Sequence, residues 1–294
     1  DSMGWVTSLM QRASASMGRV NRILEEEPDI RETAYPMAVP RITGAIEIRG
    51  LHIIHPGNRD CTLKDIRLRV NAGETIAIAG GVGSGKTTLL HAIPRLLDVP
   101  PGTLYIDGYD VCQIPLRQLR ENTGFVSQEP FIFSDTIRNN VLFGRSGVSQ
   151  KDLEAALHAA GIFEEVMAFE SGLDTILGER GVTLSGGQRQ RLTIARALIM
   201  VPPILILDDA LSMVDTRTEE RILNRVMQLR RNKTCLIVSH RVSTIKRADR
   251  IFVLGQGKLM ESGTHDELMA MEGQYARLYR KQQLEKELET DCGV

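Results

Sequence analysis

In the first segment the apolar residues Val6, Met10, Ala13, Met17, Val20 and Leu24 recur at alternating spacings of four and three, while Arg12, Arg19 and Arg22 lie off that stripe. This period predicts a helix with one face seeking a partner. The following stretch, "EEEPDIRETAYPMAVP" (residues 25–40), carries three prolines and many charges, a pattern that disfavours a regular element, so a compact domain is expected to begin near Arg41. Short β-rich runs, "IEIRGLHII" and "DIRLRV", then lead to "ETIAIAG", an apolar strand that stops at glycine. A helix is predicted to start near Lys86 and to end before "VPPG", and the pattern from about Asp135 to Met200 is mainly helical. From Ile204 the apolar runs "ILIL", "TCLIVS" and "IFVL" alternate with helical stretches, which predicts a parallel sheet covered by helices. The helical middle reads as an insertion into that sheet. The tail "GQYARLYRKQQLEKELE" predicts a charged, solvated surface helix.

With 42% hydrophobic and 25% charged residues over 294 positions, the chain can bury a substantial core. The formal net charge is −1 and no long lysine-arginine block occurs, so nothing supports a nucleic-acid partner. Cys61, Cys112, Cys235 and Cys292 lie far apart, without the close pairs of a zinc site or disulfide framework, which fits a reducing cytosolic setting. No window approaches the ~18 to 20 apolar residues of a membrane span, and no secretory signal pattern opens the chain. Any membrane function is expected to involve another segment or chain.

"GGVGSGKTT" (Gly80–Thr88) satisfies G-x-x-x-x-G-K-[ST] between a strand and a helix. Its glycines (Gly81, Gly83 and Gly85, with Ser84 between) let successive N–H groups turn toward phosphate oxygens at a helix start. Lys86 is expected to reach the β/γ oxygens, Thr87 to offer its hydroxyl to Mg²⁺, and Thr88 to belong to the same ATP contact set. In "ILILD" Asp208 ends an apolar strand, where it can hold the metal directly or through water.

Between these motifs lies "LSGGQRQR" (Leu184–Arg191), which resembles the signature of ATP-binding cassette (ABC) ATPases. The resemblance covers nearly all of residues 41–275. Gln128 in "FVSQEP" resembles the Q-loop glutamine, "GERG" (Gly178–Gly181) a loop typical of exporters, "ALSMVD" the D-loop and His240 in "VSHR" the switch histidine. It implies an α/β phosphate-loop core with a mainly parallel sheet, an antiparallel β subdomain and an inserted helical subdomain at about 130–195. Residues 1–40 would be the cytoplasmic end of a last transmembrane helix plus a linker, and 276–294 a C-terminal helix and tail. Ser185, Gly186, Gly187 and Gln188 would face ATP held by a second cassette, using a serine hydroxyl and N–H groups at a helix start. The resemblance further implies that Gln128 joins Mg²⁺ and relays nucleotide state to the membrane domain. His240 would bond the γ-phosphate and help orient the attacking water. His55, in "HPG", stands where relatives place an aromatic that stacks on adenine.

In members that hydrolyse ATP efficiently, glutamate usually follows the metal aspartate as general base; here the residue is Asp209. Its reach is shorter by one carbon–carbon bond, about 1.5 Å, whereas proton abstraction needs a heavy-atom distance near 2.6 to 3.2 Å. General-base assistance is worth ~10²- to 10⁴-fold, much of which is expected to be missing at this chain's own site. With an intact "LSGGQ", the chain resembles the degenerate-site half of a heterodimeric exporter, on the cytoplasmic face of a cell membrane. A homodimeric transporter that uses Asp209 as base and a soluble non-transport ABC protein are the alternatives. The absence of a long coiled-coil insertion, of a second cassette and of a basic face counts against the last.

Overall fold

The computed structural model describes residues 2–54, 61–178, 183–239 and 241–291. It falls into two compact units, residues 1–31 and 32–294. The first contains a single long helix, α1 (Ser2–Leu24), as the four-three spacing predicts. None of the described helices is long and apolar enough to cross a membrane.

The second unit opens with β1 (Ile46–Ile54), β2 (Cys61–Val70), β3 (Thr75–Gly80) and α2 (Lys86–Ala92). Then come β4 (Leu104–Ile106), β5 (Tyr109–Asp110), α3 (Leu116–Glu121) and β6 (Thr123–Val126). The helical region holds α4 (Ile137–Leu142), α5 (Gln150–Ala159), α6 (Phe163–Met167) and α7 (Gly186–Leu198). Beyond it β7 (Ile204–Asp208), α8 (Thr216–Leu229), β8 (Thr234–Val238), α9 (Val242–Ile245) and β9 (Arg250–Gly255) alternate. The chain closes with β10 (Lys258–Gly263), α10 (His265–Ala270) and α11 (Gln274–Asp291).

Two sheets result. The larger has the order β10-β9-β3-β8-β7-β6, all neighbours parallel except β10 with β9. β7 and β8 are buried at every position, which is why they read as unbroken apolar runs rather than alternating ones: helices cover both faces of a parallel sheet. The smaller sheet, β2-β1-β4-β5, is antiparallel. One core cluster fills the space between the two sheets, drawing Leu63 and Ile66 from the small sheet and Ile76, Ile78 and Leu236 from the large one. Another joins the helical region to the large sheet through Leu153, Leu192, Leu205 and Leu207. The architecture is that of the expected phosphate-loop core with an antiparallel subdomain and an inserted helical region.

Two sequence expectations need correction. The stretch up to residue 40 is irregular as predicted, yet it is not a free linker throughout. Glu32 accepts a hydrogen bond from the Leu116 N–H at 2.7 Å, Met37 N–H donates to the Gln113 carbonyl at 2.7 Å, and Val39 exchanges bonds with the Gln118 side chain. Val39 and Ile42 are buried, so the compact unit begins at Glu32 rather than near Arg41. The tail helix is likewise not wholly solvated. α11 starts at Gln274, and Tyr275 and Ala276 are buried, Tyr275 in the cluster with Ala77, Ala79 and Val253. Burial of one aromatic ring outweighs the polar average of the segment.

Candidate nucleotide site

β3 occupies the middle of the large sheet, and its last residue, Gly80, opens the phosphate loop. At Gly80 φ is 148°, and a Cβ there would overlap the Leu254 carbonyl, so only glycine fits between β3 and β9. Gly85 caps α2 in the left-handed conformation with φ 98°, and a Cβ would lie 2.7 Å from Leu63 Cδ2. Gly81 and Gly83 are exposed, and a Cβ on either would meet nothing within 4 Å, which leaves room for a ligand close to the backbone. No side chain caps α2, so its first N–H groups keep their capacity to bind an anion. The loop is pinned from behind, because the Gly257 N–H donates to the Ser84 carbonyl at 3.2 Å and Lys64 N–H to the Gly257 carbonyl at 2.7 Å.

Lys86 is largely buried, and its ammonium donates to the Gly80 and Gly81 carbonyls at 3.0 and 2.9 Å. Burial pulls its pKa down, while the carboxylates of Asp209 and Asp208 pull it up. The loop lysine and both aspartates therefore share one electrostatic site. Ser84 and Thr88 are buried beside it, whereas Thr87 is exposed.

Asp208 ends β7, paired in register with Val238 of β8. Burial raises its pKa, opposed chiefly by a hydrogen bond from the Thr87 hydroxyl. These two hard oxygen donors fit Mg²⁺, an ion satisfied by one or two protein oxygens plus phosphate oxygens. The described residues hold no group of three or more His, Cys, Asp or Glu, as a protein-only cage would need. Thr87 and Asp208 would hold the ion, which would screen the phosphate charge there. Gln128 lies exposed just beyond β6, whose Val126 pairs with Leu207, so it stands at the same end of the sheet as Asp208. None of the described hydrogen bonds ties it to Thr87 or Asp208.

Asp209 has a left-handed backbone, φ 49°, and is 7% exposed. Its N–H donates to the Val238 carbonyl at 3.0 Å, and its own carbonyl accepts from Ser212 N–H at 3.2 Å. Strand β8 thus fixes the backbone of the residue expected to face the attacking water. His55, His240 and Glu179–Gly181 lie outside the described residues.

The second anion motif forms the start of α7. The Ser185 hydroxyl accepts from Gln188 N–H at 3.2 Å while Gln188 Oε1 accepts from Ser185 N–H at 2.9 Å, a reciprocal capping box. Gly186 and Gly187 lie against Met213: a Cβ on Gly187 would come within 3.0 Å of the Met213 carbonyl. Two residues that sequence reasoning missed hold this helix start in place. Glu165 of α6 accepts from Gln188 Nε2 at 2.9 Å and from both Nη atoms of Arg191 at 2.5 and 3.0 Å. Arg191 also donates to the Gly161 carbonyl at 2.8 Å, joining α7 to the turn before α6. Arg191 stood inside the quoted signature; Glu165 left no local signal.

A phosphate loop at the centre of a parallel sheet, an acidic strand end beside it and a second glycine-serine helix start define a cassette-type nucleoside triphosphatase. The profile of the ABC transporter family matches residues 63–212; the chain belongs to that family and is one of its ATPases. It is 40% identical over 288 residues to an ATP-dependent lipid A-core flippase of Syntrophus aciditrophicus, a match covering 98% of this chain and 48% of that protein. It is 39% identical to the probable multidrug resistance ABC transporter ATP-binding/permease protein YheI of Bacillus subtilis, over 96% of this chain and 48% of the relative. Among solved structures, a bacterial Atm1-family ABC exporter with ATP bound superposes with a TM-score of 0.87 at 34% identity, over 96% of this chain and 50% of the other. The chain spans about half the length of the curated relatives it matches.

Proposed function

We propose that this chain is the ATP-driven half of an exporter polypeptide, and that it pairs with a second cassette around MgATP. A transmembrane domain on the same full-length chain would precede it, with the cassette on the cytoplasmic face. Relatives named as ATP-binding/permease and export proteins, each about twice the span of this chain, support that reading. They also weigh against a non-transport ABC protein. Lys86 and the loop glycines grip the phosphates, Thr87 and Asp208 with Gln128 hold Mg²⁺, and Ser185, Gly186, Gly187 and Gln188 complete the partner's site. The transported compound is read by the transmembrane domain.

The observation that carries the mechanistic reading is Asp209. Its backbone is anchored to β8, so the carboxylate cannot advance to make up the missing methylene by a shift of the main chain. Slow hydrolysis at this chain's own site follows, with normal turnover at the site its signature loop completes. The test is ATP turnover of the chain alone and then with its partner, each with and without Asp209→Glu. A rise of ~10²-fold or more in the paired Asp209→Glu protein is expected. Turnover unchanged by Asp209→Glu but abolished by Asp209→Ala would instead make aspartate an adequate base in a homodimer.

A further inference from the structure

Arg241 follows His240 directly in the sequence and bridges α8 to the loop that follows Asp209. Its Nη1 pairs with the Glu219 carboxylate of α8, and its Nη2 donates to the Val214 carbonyl at 2.8 Å. Glu219 is itself buried, 3% exposed, and its other oxygen accepts from the Thr244 hydroxyl of α9 at 2.7 Å. The guanidinium is therefore fixed by a carboxylate that is in turn fixed, and the remaining arm of its fork grips one carbonyl of the loop that follows Asp209.

That loop is held a second time. Gln190 of α7, fully buried, accepts from Met213 N–H at 2.9 Å and donates to the Ser212 hydroxyl at 3.0 Å. Its first residue, Asp209, is bonded to Ser212 and to Val238. Residues 209–214 are thus anchored on α7, on β8 and on the segment after β8.

A cavity of about 140 Å³ lies among these anchors, lined by Asp209, Ser212, Glu219, Arg241 and Thr244 among others. It exceeds the room one water molecule needs, so the packing around Asp209 is incomplete on this side. Asp209 also has a left-handed backbone, a conformation that persists only when its surroundings over-determine it. Ala210, Leu211 and Val214 are buried in the core of the helical region, so apolar packing seats the loop there and polar ties hold it on the cavity side.

We propose that Arg241 is a positioning residue for ATP hydrolysis: by holding Val214, it locks the loop after Asp209 to the end of β8. The Asp209 carboxylate is thereby kept at its station beside the terminal phosphate. The inference rests on the reading of Asp209 as the group that faces the water. Arginine is required because one planar fork must serve Glu219 and Val214 together. A lysine keeps a positive charge near Glu219 but offers a single nitrogen, so it neutralises the carboxylate without holding the loop.

The experiment uses the full-length polypeptide paired with its partner, the partner's own phosphate-loop lysine being substituted so that only this chain's nucleotide is cleaved. Arg241→Lys and Thr244→Val are compared with the parent by kcat, KM, MgATP binding and Tm, on both the Asp209 and Asp209→Glu backgrounds. Misplacement of a reacting group by an ångström costs up to ~10²-fold, so Arg241→Lys is expected to lower kcat by ~10-fold or more. MgATP binding and Tm should stay near the parent values. Thr244→Val, which loosens Glu219 alone, is expected to show a smaller loss of the same kind and serves if Arg241→Lys fails to fold. Parent-like kcat in Arg241→Lys would overturn the inference. So would a fall in kcat matched by equal losses of MgATP binding and Tm, since that pattern marks a merely structural residue. Failure of the parent itself to bind MgATP would sink the reading of the site, and the inference with it.

Discussion

Two helix starts carry the phosphate chemistry of this chain, and they are built in opposite ways. At α2 no side chain caps the helix and Gly85 is left-handed, so the helix N–H groups are left for an anion, while the Lys86 ammonium is engaged by the Gly80 and Gly81 carbonyls. At α7 a capping box uses Ser185 and Gln188 to satisfy the helix's own N–H groups, and Glu165 braces Gln188 from outside. The first can take an anion once the Lys86 ammonium turns from those carbonyls. The second stands complete within one chain: Ser185 accepts from Gln188 N–H and keeps its own O–H to donate to a phosphate brought by a partner. This difference suits a loop that holds its own nucleotide and a signature that engages only when a partner presents one.

The comparison can be broken most forcefully at Lys86. Lys86→Ala removes a charge-assisted donor worth ~1.5–3 kcal/mol per bond, so MgATP affinity should fall by ~10- to 100-fold while the far-ultraviolet circular dichroism stays native. Ser185→Ala should leave MgATP binding to the isolated chain unchanged, cost ~1 kcal/mol of helix-cap stability and lower turnover only after pairing. Equal loss of binding in the isolated chain would erase the distinction between the two helix starts.

Smaller effects sharpen it. Glu165→Ala removes the brace on Gln188 and leaves Arg191 without its carboxylate; because Glu165 is partly exposed, about 1–2 kcal/mol of stability should be lost by urea unfolding. Gly186→Ala should be tolerated best, since the Cβ would crowd only Met213 Sδ, at the flexible part of that side chain. Pairing it with Met213→Ala should restore the Tm. A Gly186→Ala loss that Met213→Ala does not relieve would show that the glycine is needed for the backbone itself.

Legibility followed locality. The phosphate loop, the strand ending in Asp208 and the helix after "LSGG" were readable because each is a contiguous run whose chemistry depends on neighbours in sequence. Gly80 and Gly85 stand where the loop needs glycine, and β7 and β8 are buried as their apolar runs required. Glu165, Gln190 and Glu219 were not readable, since a glutamate or glutamine on a helix has no mark that says which loop it will hold. The strap of Glu32, Met37 and Val39 along α3 escaped for the same reason: prolines and charges correctly excluded a helix or strand there but said nothing of docking.

The sequence by itself determined the family, the strand–loop–helix that grips phosphate, and the substitution of aspartate for the usual glutamate at position 209. Tertiary structure alone decided how that aspartate is held: the backbone tie to Val238, the left-handed φ and the cavity beside it. It alone brought Arg241 onto Val214 and Glu219, and Glu165 onto the signature helix. Periodicity and motif spacing encode what a segment does with its own hydrogen bonds and apolar face. Which distant side chain completes that segment depends on how separate elements pack, and packing is a property of the whole folded chain.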